Sequence, residues 1–187
     1  MTRQNNIVLR VIDLAKTYPL KGGFFETEKG EVRAVDGVSF EVPNGGIMGL
    51  VGESGSGKTT TGRMIARVLQ PTSGEIWYSD DVSHQIELVR CTRTQMRLLR
   101  SQIQMIFQDP YGSLDPRMTI LSIVGEPLRA NRLATGSEYK DRVAESLEMV
   151  GLRSEYMNRY PHAFSGGQRQ RIGIARALVS SPRLLIA

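Results

Sequence analysis

Apolar residues along this chain change their spacing several times, and each change marks a change of element. Ile7 to Ile12 predicts a strand, and so does the stretch around Val35 to Val42. The connection between them is polar and Gly-punctuated, with Lys21-Gly22-Gly23 and Glu28-Lys29-Gly30-Glu31 around Phe24-Phe25. Pro43-Asn44-Gly45-Gly46 predicts a turn, and the short apolar run Ile47 to Val51 predicts a buried strand after it. From Lys58 the period becomes helical. Met64, Ile65, Val68 and Leu69 share a face, and Pro71 with Gly74 marks the predicted end. Residues 79–93 are polar and weakly patterned, whereas Ile103 to Phe107 predicts another buried strand. From Leu114 to about Tyr160 the pattern is helical, with Val143, Leu147 and Val150 on one face and Gly151 as the C-terminal stop. A last helix is predicted from about Gln168 to Val179, and Leu184-Leu185-Ile186-Ala187 begins a buried strand. A strand–loop–helix unit, a helical insert and a return to strand together predict an α/β sheet carrying an α subdomain.

Composition narrows this picture without redirecting it. The 187 residues suffice for one domain with a sizeable core. Apolar content of 40% and charged content of 23% are those of an ordinary globular protein. Cys91 is the single cysteine, so no intramolecular disulfide forms and a reducing compartment fits. The N-terminal stretch has no targeting pattern, and no run reaches the roughly 18 apolar residues of a membrane span. The expected protein is soluble, or peripheral to a membrane through a partner. Net charge is +5, carried largely by arginine in two clusters: Arg90, Arg93, Arg97 and Arg100, then Arg169, Arg171 and Arg176. No aromatic-interleaved groove accompanies them, so a solvated face with phosphate-facing arginines is expected rather than nucleic-acid binding.

The chemistry concentrates in two short motifs. Residues 52–59, GESGSGKT, match G-x-x-x-x-G-K-[ST] at every fixed position. Gly52, Gly55 and Gly57 permit a tight turn around Glu53, Ser54 and Ser56, with backbone N–H groups directed inward at phosphate oxygens. The helix that follows, through Thr60, adds N-terminal donors and the positive end of its dipole. Lys58 would reach the β- and γ-phosphates, and the Thr59 hydroxyl would ligate Mg²⁺. This loop alone does not choose among kinases, GTPases, helicases and transport ATPases.

The second motif, FSGGQ at 164–168, opens the stretch FSGGQRQRIGIARAL. Ser165, Gly166 and Gly167 precede a helix and offer a hydroxyl and amides to another anion. A plain capped helix start explains the serine but leaves the paired glycines and Gln168 without a role. One cradle for each of two nucleotides across a dimer interface is the more economical explanation.

Together these motifs resemble the ATP-binding-cassette (ABC) family nearly end to end, with Phe164 where Leu is more frequent. The stretches AVDGVSF (34–40), GLVGESGSGKTT (49–60), FQDPYGSLDPRMTI (107–120) and YPHAFSGGQRQRIGIARAL (160–178) are similar to the di-/oligopeptide and nickel importer ATPases. The resemblance implies a P-loop NTPase fold with an N-terminal antiparallel β subdomain and an α-helical signature subdomain. On this expectation residues 1–110 form a RecA-like core with its antiparallel β part, 111–167 the helical subdomain, and 168–187 a return to the core. Two departures stand out: Gly45-Gly46 replaces the usual Gly-Glu, and residues 79–93 are longer and more polar than the family's short hairpin link.

The resemblance also assigns roles. Tyr18, which by position alone reads as a strand-end core residue, stands where the family stacks an aromatic on adenine. Gln108 matches the glutamine that touches Mg²⁺ or the attacking water and reports to the membrane subunit. His162 reads as a loop-packing residue and His84 as a surface residue. Two such subunits, alike or different, would pair head to tail around two ATP molecules. The pair would sit at the cytoplasmic face of the inner membrane, driving permease subunits served by a solute-binding protein; no nucleic-acid partner is expected. Arg183 to Ala187 resembles the strand that runs into the family's Asp-Glu pair, so binding is expected here and turnover by these 187 residues is not. A non-transport cassette acting on nucleic acid, a metabolic P-loop kinase and an ATP-binding regulator without turnover are the alternatives.

Overall fold

The computed structural model describes residues 7–20, 30–81, 84–107, 112 and 114–187. They fall into two compact units, Met1–Met96 and Arg97–Ala187.

The first unit is built on a four-stranded antiparallel sheet in the order β2-β1-β3-β4. Strand β1 (Ile7–Pro19) pairs along its length with β2 (Glu31–Pro43), and its other edge pairs with β3 (Ser73–Asp81). Strand β4 (His84–Glu87) closes a hairpin with β3. Val8, Leu9, Val11 and Leu14 of β1 are buried, and so are Ile76 and Tyr78 of β3. Burial in β1 does not alternate cleanly because its register with β2 shifts between Val11 and Leu14 and on either side of Lys16. Asp13, at φ 45, sits in that irregular stretch; its N–H donates to Ser39 Oγ (2.8 Å) and its carboxylate accepts from the same hydroxyl (3.1 Å). Helix α1 (Lys58–Ile65) buries Met64 and Ile65.

Three sequence expectations are corrected in this unit. Residues 79–93 hold the end of β3, all of β4 and a short 3₁₀ turn at Leu88–Arg90, not an unpatterned link. Helix α1 ends at Ile65, well short of Pro71. Arg67 adopts φ 55, with Arg67 N–H bonded to Met64 O (3.0 Å) and Val68 N–H to Arg63 O (3.0 Å). That left-handed cap turns Val68 out to solvent. The run Ile47 to Val51 is neither strand nor buried: Ile47 is 99% and Val51 94% exposed. An all-apolar strand needs ladder partners on its edges and cover on its faces. Among the described residues no strand pairs with 47–51.

The second unit is mainly helical. Helices α3 (Ile120–Val124), α4 (Glu126–Ala130), α5 (Gly136–Met149) and α6 (Gly166–Leu178) enclose a core that includes Ile120, Leu128, Val143, Leu147, Phe164 and Ile172. Helix α5 stops at Gly151 as expected. The glycine takes φ 71, its N–H bonds Glu148 O (2.9 Å), and Leu152 N–H bonds Leu147 O (2.9 Å). Strand β5 (Ile103–Met105) pairs in parallel with β6 (Leu184–Ile186), joining segments about 80 residues apart in sequence. Helix α2 (Arg93–Leu99) spans the boundary between the two units.

Candidate functional site

The phosphate loop owes its shape to backbone that only glycine accepts readily. Gly55 (φ 85) and Gly57 (φ 89) are both left-handed, and Gly57 is the N-cap of α1. A Cβ on Gly57 would lie 2.2 Å from the Ala34 carbonyl oxygen of β2, so the loop seats directly against that strand. Gly52 faces the Ser56 hydroxyl, which a Cβ would approach to 2.7 Å. No side chain caps α1, and no acidic residue stands in its first turn. Its leading amides therefore keep their positive potential for an incoming anion.

Lys58 folds back over this loop. Its Nζ donates to Gly52 O (2.8 Å), Glu53 O (2.5 Å) and Ser56 Oγ (3.3 Å), which places the ammonium beside the same turn that presents the amides. Glu53, Ser54 and Thr59 are exposed and Thr60 is half-buried. The Thr59 hydroxyl is a single neutral oxygen, and no cluster of three His, Cys, Asp or Glu occurs among the described residues. Such a donor set fits a hard cation that takes its remaining ligands from phosphate and water, as Mg²⁺ does, and not a cation needing a protein cage.

Tyr18 lies at the end of β1 opposite Val32 of β2 and is 41% exposed. It is not the core residue its position suggests. Ala34, the residue against which Gly57 rests, is two positions from Val32, so the ring and the loop are anchored to the same few residues of β2.

The signature turn is built differently. Ser165 is the N-cap of α6: its Oγ accepts from Gln168 N–H (3.3 Å), and Gln168 Oε1 accepts from Ser165 N–H (3.0 Å). This reciprocal capping box gives Gln168 the role the sequence left open. Arg169 Nε donates to Pro161 O (3.0 Å) and Phe164 O (3.1 Å), bracing the approach to the helix. Phe164 is buried edge-on against Tyr156 at 5.5 Å. Gly166 is half-buried at the start of α6, whereas Gly167 is exposed, and a Cβ there would meet nothing within 4 Å. Nothing among the described residues of the unit demands glycine at 167.

Other expectations divide. Gln108 lies outside the described residues, as does the 21–29 connection. His162 is exposed and stacks on Tyr160 at 5.8 Å, so it does not pack the loop interior. His84 is on the surface as expected, beside Asp80 Oδ1 at 3.0 Å. The second arginine cluster does not act as one phosphate-facing group: Arg169 braces the signature turn, and burial lowers the Arg176 pKa, opposed by Glu126. Burial likewise pushes the Cys91 thiol up, away from nucleophilic use. Sequence reasoning missed Lys16, whose Nζ sits 5.2 Å from the Tyr18 ring centroid. The signal available was its spacing of two from Tyr18 on one strand.

Comparison with known proteins gives the chain its family. The ABC transporter family matches residues 35–187. The oligopeptide transport ATP-binding protein AppF of Bacillus subtilis (strain 168) is 46% identical over 189 residues, 100% of this chain and 56% of that protein. OppF of the same organism, also an oligopeptide transport ATP-binding protein, is 51% identical over 164 residues, 87% of this chain and 52% of its own. Among solved structures, the post-hydrolysis dimer of the ATP-binding cassette MJ0796, bound to ADP and Pi, matches with a TM-score of 0.79 at 29% identity. That match covers 95% of this chain and 72% of the other. The chain belongs to the ABC transporter family and has the α/β fold of its ATPase cassettes. It spans about half the length of the curated relatives it matches.

Proposed function

We propose that this chain is the ATP-binding part of a peptide importer's ATPase. The observation that carries the reading is the phosphate loop: left-handed Gly55 and Gly57, an uncapped α1, and Lys58 Nζ held at the loop's mouth. These groups are arranged to take a polyphosphate, with Lys58 exchanging loop carbonyls for phosphate oxygens. Tyr18 stacks on the base. Mg²⁺, when bound, would neutralise charge that develops on phosphoryl transfer. Thr59 and Gln108 are the residues proposed to hold it, Gln108 also orienting the attacking water.

Ser165, Gly166 and Gly167 serve the γ-phosphate of a nucleotide held by a second cassette subunit, identical or related. Two relatives are named for oligopeptide transport. On that basis we place the chain beside permease subunits at the cytoplasmic face of the membrane, with a solute-binding protein delivering the peptide. Residues 111–167 are the proposed helical subdomain between the core segments 1–110 and 168–187.

Calorimetry with Mg-ATP tests the reading. Saturable binding by the wild type that Lys58→Ala weakens about a hundredfold supports it. No heat with the wild type, or equal heat with both proteins, overturns it.

A further inference from the structure

Tyr18 raises a physical question: what fixes an exposed ring at the end of a strand? Its neighbour on the same strand face supplies the answer. Lys16 Nζ lies over the ring at 5.2 Å from the centroid, within the range in which an ammonium is attracted to the negative face of an aromatic. The same Nζ donates to the Gln70 carbonyl at 2.8 Å. Gln70 belongs to the turn that follows α1, and that turn is tied to β1 by two further bonds. Thr72 N–H donates to Ala15 O (2.8 Å), and Thr17 N–H donates to Thr72 Oγ1 (3.0 Å). Lys16 is thus pinned between a backbone carbonyl and the ring, and the cation is held in place by the turn that closes the phosphate-loop helix.

We propose that Lys16 is a positioning residue that makes Tyr18 a one-sided platform: the ammonium occupies one face of the ring and leaves the other for the base. This rests on the reading of Tyr18 as the base-stacking residue. Two consequences follow from the chemistry. A ring with one face covered accepts a single stacked base. A ring drawn upon by a cation from below also presents a less negative opposite face, which suits an electron-rich purine. Lys16 therefore acts on the base end of the ligand and not on its phosphates.

Inorganic tripolyphosphate separates the two ends, because it has phosphates and no base. The test is calorimetric titration of wild type, K16M, K16R, Y18A and the K16M/Y18A double variant with Mg-ATP and with tripolyphosphate. K16M keeps the aliphatic stem and removes the charge, and K16R keeps a cation. K16M is expected to weaken Mg-ATP binding about two- to fivefold, the range of an exposed cation–π contact. Tripolyphosphate affinity should stay at the wild-type value in K16M, and K16R should recover most of the ATP affinity. Since Lys16 acts through Tyr18, the double variant should be no weaker than Y18A alone. The proposal fails if K16M binds ATP like wild type, or if it weakens tripolyphosphate equally, which would make Lys16 a tether of the phosphate loop. It also fails if the two substitutions add. Wild-type ATP affinity in Y18A, with K58A still defective, would remove the Tyr18 reading and this proposal together while leaving the phosphate loop standing.

Discussion

The phosphate loop and the signature turn both stand at a helix N-terminus, yet they reach that geometry by opposite routes. Around α1 the backbone does the shaping. Two glycines hold left-handed conformations, one against a carbonyl of β2, and no side chain caps the helix. Around α6 the side chains do the shaping. Ser165 and Gln168 cap each other's backbone, Arg169 braces the preceding turn, and Phe164 anchors it in the core. Glycine at 57 is required by the fold of its own unit. Glycine at 167 has open space around it among the described residues, so its own unit does not call for it, and on the proposed reading the partner that approaches it does. A residue's identity can be set by its own chain or by its ligand, and adding one methyl group tells the two apart.

Gly57→Ala is the strongest way to break the first half of that contrast. The methyl would collide with backbone, and the left-handed conformation adds about 1–2 kcal/mol. A lowered melting temperature and loss of Mg-ATP binding are expected together. A stable variant with normal affinity would mean that the loop is not shaped as described. Next in size is Lys58→Ala, expected to cost about a hundredfold in ATP affinity, since hydrogen bonds to a charged group are worth about 1.5–3 kcal/mol each. Its fold should survive, because the ammonium serves exposed loop carbonyls and not a core.

Ser165→Ala addresses the other half. Loss of the N-cap should lower stability by about 1 kcal/mol in urea unfolding while leaving phosphate-loop binding alone. An unchanged midpoint would show that the capping box contributes nothing in solution. The smallest effect is expected of Gly167→Ala, whose stability should stay within about 0.5 kcal/mol of wild type. ATP-dependent pairing, followed by size-exclusion chromatography, is where its defect should appear. A destabilised but pairing-competent variant would reverse the assignment.

How much of this was legible follows from where each signal resides. The phosphate loop and the signature could be read because glycine, lysine and serine at fixed spacing are local chemistry. The stop of α5 could be read because Gly151 is the usual residue for a left-handed cap. The end of α1 could not, because Arg67 occupies the same conformation with no compositional mark. Strand β3 could not, because it begins at the turn residues Ser73 and Gly74 and only Ile76 and Tyr78 alternate into the core behind them. The run 47–51 was misread because burial of an apolar strand depends on neighbours that a local pattern does not supply. The capping box of Ser165 and Gln168 was legible too, because serine followed three residues later by glutamine is its sequence pattern.

The three bonds of Lys58 also bear on the rate at which a nucleotide is captured. A phosphate arriving at α1 does not meet an idle cation; it competes with two carbonyls and a hydroxyl that already hold the ammonium. On the proposed reading, capture is then an exchange of partners in an exposed loop, and an association that needs such a rearrangement runs below the diffusional ceiling. The same exchange lowers the net enthalpy of binding, because each bond gained by Lys58 replaces one given up.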